Sequence, residues 1–130
     1  MEQIFEFTPE EKSEAFAILN NLKAEIGDSI KPDDEKKLHD NIMTAMSENR
    51  IQRDVFGINP ILHALQTAEI AVNEIGLKRD GVIAIILYNS VQHDLVGLDA
   101  IEQDLGSCVT GIIRGLVKVQ SLYRKNPVIE

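Results

Sequence analysis

From Ala15 onward the apolar residues of this chain fall three and four positions apart: Ala15, Ile18, Leu19, Leu22 and Ile26. That spacing stacks them on one side of a helix turning every 3.6 residues. The beginning of the helix is written as well. Thr8 can cap it, Pro9 suits the first helical position, Glu11 completes a capping box, and Gly27 is placed to end the run. Pro32, followed by Asp33, Asp34 and Glu35, predicts a second helix with acids at the positive end of its dipole. Leu38, Ile42, Ala45 and Met46 give it an apolar stripe. An irregular stretch over 49–60 carries two close arginines, Arg50 and Arg53. Ile61, Leu65, Ala68, Val72 and Ile75 then define a third helix that stops at Gly76.

The next segment, 82–87, is apolar without a break, a pattern that also suits a buried strand. No second strand-like run exists to pair with it. The spacing therefore predicts a fourth helix from about 80 to 91, central and buried on all sides. A short helix over 98–105 ends at Gly106, and a last one over about 107–124 repeats apolar pairs at Val109, Ile112, Ile113, Leu116, Val117 and Tyr123. The expectation is an all-α bundle of about six helices in a single domain, 1–130. No internal repeat, low-complexity tract or linker divides it.

Composition narrows the functional classes. Thirteen Lys and Arg against 21 Asp and Glu leave a formal charge of −8, so most of the surface repels phosphate backbones and a general nucleic-acid binder is not expected. Aromatics make up only 5% with no Trp, which forces an aliphatic core. The one cysteine, Cys108, has no partner for an internal disulfide and points to a reducing compartment. The acidic N-terminus lacks a signal-peptide pattern, and no apolar run nears the ~18 residues of a membrane span. A cytoplasmic protein without membrane contact is expected.

Candidate chemistry concentrates in "IAIILYNSVQHDLVG", residues 83–97, where a greasy shaft ends in a polar tip. Helices that carry metal chemistry often have this shape, yet here amides stand where such sites need carboxylates. His93-Asp94 spells an HD dipeptide, a weak signal by itself. His63 sits near the start of the third helix, opposite its apolar stripe, and reads as a surface or half-buried histidine. His39, in "EKKLHD", reads as part of a solvated face. Cys108, among apolar residues on a helix, reads as an inert core thiol. Arg50 and Arg53 ordinarily would be solvated loop charges. The chain has no phosphate-binding glycine loop, CxxC pair or HExxH.

Taken in order, three blocks change the picture. "GINPILHALQTAEIAVNEIGL", the polar-tipped helix, and "GLDAIEQDLGSCVTGIIRGLVKV" together resemble the N-terminal hydrolase domain of the RelA/SpoT family, which makes and degrades the alarmone (p)ppGpp. The family reads "SGEPYIxHPLxVAxIL…GLD", then "AALLHDVVEDT", then "TxEEIxxxFGxxVAxLVDGVTKL"; the similarity runs from about Arg50 to Val119. It implies an HD-type helical domain, truncated here on its C-terminal side, with a synthetase domain expected beyond residue 130. In active members manganese is held by the His of "IxH", by the His-Asp pair of "LLHD" and by an Asp in a later "DRLHN"-like helix. The Glu and Asp of "VVED" assist the attacking water.

Carried over by position, His63 occupies the first ligand place. Tyr88 and Asn89 fall where the HD pair belongs, and Gln92 and His93 fall where the ED pair belongs. His93-Asp94 lies five residues past the HD position. A carboxamide is a neutral, weaker metal donor, and a phenol keeps its proton at neutral pH. No carboxylate remains at the ED positions to act as base. The resemblance thus implies no catalytic residues and no cofactor in this chain, though active relatives use manganese. An arginine that lines the guanine pocket in the family falls on Asp54 here, with Arg53 adjacent, so Arg53 and His63 are the vestigial nucleotide-binding candidates. The expectation is a degenerate (p)ppGpp hydrolase domain serving as a regulatory part of a GTP pyrophosphokinase in the stringent response, with guanine nucleotide and the synthetase domain as partners. The alternative is an active metal-dependent phosphohydrolase using His63, His93 and Asp94.

Overall fold

Six α-helices and one short 3-10 turn order the chain: α1 Pro9–Ile26, the turn Gly27–Ser29, α2 Pro32–Ser47, α3 Pro60–Ile75, α4 Arg79–Gln92, α5 Leu98–Leu105 and α6 Ser107–Lys125. The computed structural model describes residues 7–47, 51–53 and 56–125, with side chains as far as Leu122. Arg50, Asp54 and the side chain of Tyr123 lie outside the described residues. Among the described residues there is no strand, and the domain is an all-α bundle of six helices.

Local chemistry sets the helix starts. The Thr8 hydroxyl accepts from the Glu11 amide at 3.0 Å while the Glu11 carboxylate accepts from the Thr8 amide at 2.9 Å, a complete capping box. Asn59 caps α3, its Oδ1 accepting from the Ile61 and Leu62 amides at 2.9 and 3.2 Å. At the other end of α3, Gly76 takes the left-handed conformation (φ 67°), which costs a glycine nothing.

α4 is the centre. It packs against α2, α3 and α6, while α1 lies on α3 and α5 on α6. No residue of α4 is exposed, and Val82, Ile83, Ala84, Ile86, Leu87 and Ser90 are buried. The unbroken apolar run is therefore a helix interior to the bundle, as the absence of a pairing strand required. The stripes of α1 and α2 are buried at Ala15, Ile18, Leu19 and Leu22 and at Leu38, Ile42, Ala45 and Met46. Each Ile, Leu or Met side chain among them contributes about 1.5–3 kcal/mol when fully buried.

Periodicity overreaches at two helix ends. Ile75 is exposed because the last turn of α3 stands clear of the core, along with Asn73 and Glu74. On α6 the buried apolar residues among those described are Val109 and Ile113; Ile112, Leu116 and Val117 face outward. Cys108 is also exposed, which corrects the reading of a core thiol. It sits one residue, about 100°, from the inward-facing Val109.

One end of the bundle is locked by an ion-pair network that periodicity cannot reveal. Arg79, at the start of α4, donates from Nε and NH2 to the two carboxylate oxygens of Asp34 on α2, each at 3.0 Å. Its NH1 reaches Asp80 at 2.6 Å and the Leu105 carbonyl, the last of α5, at 3.3 Å. Asp34 also accepts from the Lys31 amide at 3.1 Å. Burial pushes the Asp34 carboxyl up, but the Arg79 guanidinium and the Lys31 amide outweigh it and hold the group below the usual range.

Candidate site at the tip of the central helix

Two consecutive side chains near the end of α4 tie it to its neighbours. Asn89 donates from Nδ2 to the carbonyl of Pro60, in the first turn of α3, at 3.1 Å. Ser90, fully buried, donates to Oδ1 of Asn41 on α2 at 2.9 Å. Asn89 must point its amide nitrogen at Pro60, because a carbonyl can only accept. Tyr88 is half-buried and packs on the edge of the core. Ser90 and Asn41 escaped the sequence reading, since a serine in a helix and an asparagine in a charged run carry no signal until the helices are docked.

His63 lies one turn beyond Pro60, exposed on α3. The structure therefore brings Asn89 and the His63 turn to the same junction of α3 and α4. Beneath them, Asn59 is buried, and its Nδ2 has no hydrogen-bond partner among the described residues.

Gln92 and His93 leave the junction. Gln92 is half-buried and lines a groove of about 420 Å³ with Leu98, Arg114, Val117 and Gln120. That groove has a cation and amides but no carboxylate. His93 is the exposed cap residue of α4, and Asp94 follows in the left-handed region at φ 61°. The Asp94 amide bonds to the Val91 carbonyl at 3.1 Å and the Leu95 amide to that of Ser90 at 2.8 Å. Those two bonds are a Schellman motif, so the HD dipeptide is the stop signal of the helix. Among the described residues, no three His, Cys, Asp or Glu side chains are grouped so as to hold a metal ion; His63, His93 and Asp94 are not such a group.

Arg53 is engaged elsewhere. Its guanidinium forks onto the Glu11 carboxylate, with one NH1 bond of 2.8 Å and a second, shorter one from NH2, and NH1 also reaches the Gly57 carbonyl at 3.0 Å. Its charge lies 5.4 Å from the centre of the Phe7 ring. Arg53 draws the Glu11 carboxyl below the usual range against the opposing effect of burial. Arg53 thus straps the loop to the first turn of α1.

Two other hollows lie away from this junction. One of about 260 Å³ runs between α2, the end of α4 and α5, lined by Lys37, Asp40, Asn41, Leu87, Leu95 and Asp104. A wider one, about 600 Å³, occupies the corner between α1 and α2 around Lys23, Asp28 and Lys31. Among the described residues no helix is long and apolar enough to cross a membrane. Comparison with protein-family models, with curated proteins and with solved structures finds no match for the chain.

Proposed function

We propose that this chain is a catalytically degenerate (p)ppGpp hydrolase domain of RelA/SpoT type, kept as a regulatory and structural part of a GTP pyrophosphokinase. In that arrangement a synthetase domain of the same parent chain transfers pyrophosphate from ATP to GTP or GDP, and the degenerate domain biases its on and off states. The resemblance of the three sequence blocks supplies the family. The observation that carries the degeneracy is the bond from Asn89 to the Pro60 carbonyl. An aspartate at this position has no hydrogen to donate at neutral pH and would set its charge against a carbonyl oxygen. The amide has converted a metal-ligand position into a tie between two helices.

The neighbouring chemistry supports the same reading. Tyr88 and Gln92 are neutral, and the His63 ring is exposed. With a phenol and an amide at the HD positions, a metal would find only weak donors to hold a water of lowered pKa, and no carboxylate stands at the ED positions to take its proton. The domain is expected to act in the cytoplasm, with guanine nucleotide as the small-molecule partner to examine first.

The test is metal content and manganese titration of the purified chain by elemental analysis and calorimetry. The expected result is no stoichiometric manganese or zinc and no tight binding isotherm. About one manganese per chain, lost on His63→Ala, would overturn the proposal in favour of an active site with unusual ligands.

A further inference from the structure

α6 outlasts the helix it packs against. It runs 19 residues to the 14 of α4, which stops at Gln92. Thr110 and Ile113 still point into the bundle, both buried. Arg114, Val117 and Ser121 continue that side of α6, since positions three, four and seven apart share one face of a helix. With α4 ended, they line a groove of about 420 Å³. Its apolar walls are Val91, Leu98 and Val117; Gln92, Gln120 and Ser121 add polar groups beside Arg114. The size lies within the roughly 300–1,000 Å³ of small-molecule sites.

Charge narrows the occupant. Arg53 and Arg79 each fork onto a carboxylate. Arg114 has no ion pair among the described residues, in a chain of formal charge −8. No acidic residue occurs in α6, and no carboxylate lines the groove. The groove thus offers one guanidinium, two carboxamides and a hydroxyl, all able to donate, beside aliphatic walls. A single carboxylate, ionised at neutral pH, balances a single guanidinium and accepts its two-bond fork. A phosphate monoester carries about −1.5 to −2 charges and would leave part of them uncompensated on an acidic protein.

We propose that this groove binds a small aliphatic monocarboxylate. The carboxylate sits on the Arg114 guanidinium, with Gln92, Gln120 and Ser121 as further donors, and the alkyl chain lies against Val91, Leu98 and Val117. The site uses no residue of the α3–α4 junction, so results with manganese or ppGpp leave it untouched.

The test is an NMR titration of the intact chain with hexanoate, with hexanol, hexylamine and hexyl phosphate in parallel. Hexanoate is expected to shift amide resonances of 91–98 and 114–121 saturably, and to bind at least about tenfold more tightly than the other three. Arg114→Gln, an exposed change that spares the core, weakens hexanoate by at least about tenfold and leaves the melting temperature of the ligand-free chain unchanged. Val117→Asp abolishes binding by placing a like charge in the groove, while Lys118→Gln, beside it but outside the lining, leaves it intact. No saturable shift, shifts centred elsewhere, or binding of hexanol or hexyl phosphate as tight as that of hexanoate would each overturn the proposal. So would a lower melting temperature of ligand-free Arg114→Gln, which would show the guanidinium already held by another part of the chain.

Discussion

Asn89 differs from an aspartate by one amide group, and that group sets the chemistry of its surroundings. Its Nδ2 donates to the Pro60 carbonyl at 3.1 Å in a half-buried position, so Asn89→Asp exchanges a hydrogen bond for a repulsive contact between oxygens. The change is expected to destabilise the domain by about 1–3 kcal/mol, the cost of a buried polar group deprived of its partner. Thermal unfolding at neutral pH measures it, and an unchanged midpoint would remove the structural role assigned to this side chain. Asp94 makes the opposite case. It holds a left-handed conformation that costs a residue with a Cβ about 1–2 kcal/mol, against the roughly 0.4–1 kcal/mol of unfolded-state entropy that a glycine adds. Asp94→Gly is therefore expected to raise the melting temperature slightly, whereas a catalytic Asp94 would have made the change costly to activity.

Helix by helix, the sequence announced the elements because their start and stop signals are local. Thr8, Pro9 and Glu11 open α1, Gly76 closes α3, and Gly106 separates α5 from α6. What joins the helices was not legible. Asp34 looked like one of three dipole-favouring acids, but it is the one that turns inward to Arg79, 45 positions along the chain. Breaking that pair with Arg79→Met leaves a buried carboxylate uncompensated. The expected loss lies toward the lower end of the about 3–5 kcal/mol of fully buried pairs, since Arg79 is partly exposed. The pair also fixes a pH dependence. Asp34 and Glu11 are both held below the usual carboxylate range in the folded chain, so their contribution is complete above the unfolded values, at roughly pH 5 and higher. It is lost as the pH falls through the folded values. Urea unfolding midpoints should drop on acidification in the parent and drop less in Arg79→Met, where the unpaired Asp34 gains from protonation. Parallel pH profiles would contradict the assigned network.

Across the whole molecule, the bundle places Asn89 against the first turn of α3, which carries His63, while sending Gln92 to a groove and His93-Asp94 to a helix stop. Sequence reasoning separated the polar tip from the rest of α4 because a sudden loss of hydrophobicity is visible in one dimension. It could not foresee that Arg53 would be spent on Glu11, since that fork closes a gap of 42 positions. Nor could it tell which apolar residues of α6 would remain uncovered, because periodicity marks a face without naming what meets it. Rebuilding the tip with Tyr88→His, Asn89→Asp, Gln92→Glu and His93→Asp should lower the melting temperature through crowded like charges, with only weak recovery on adding manganese. The most direct measurement is release of pyrophosphate from ppGpp by the parent chain and by this quadruple variant, each with saturating manganese. Neither is expected to turn over substrate above the rate of the buffer blank. Manganese-dependent turnover by the parent chain, abolished by His63→Ala, would contradict the degenerate-hydrolase account outright.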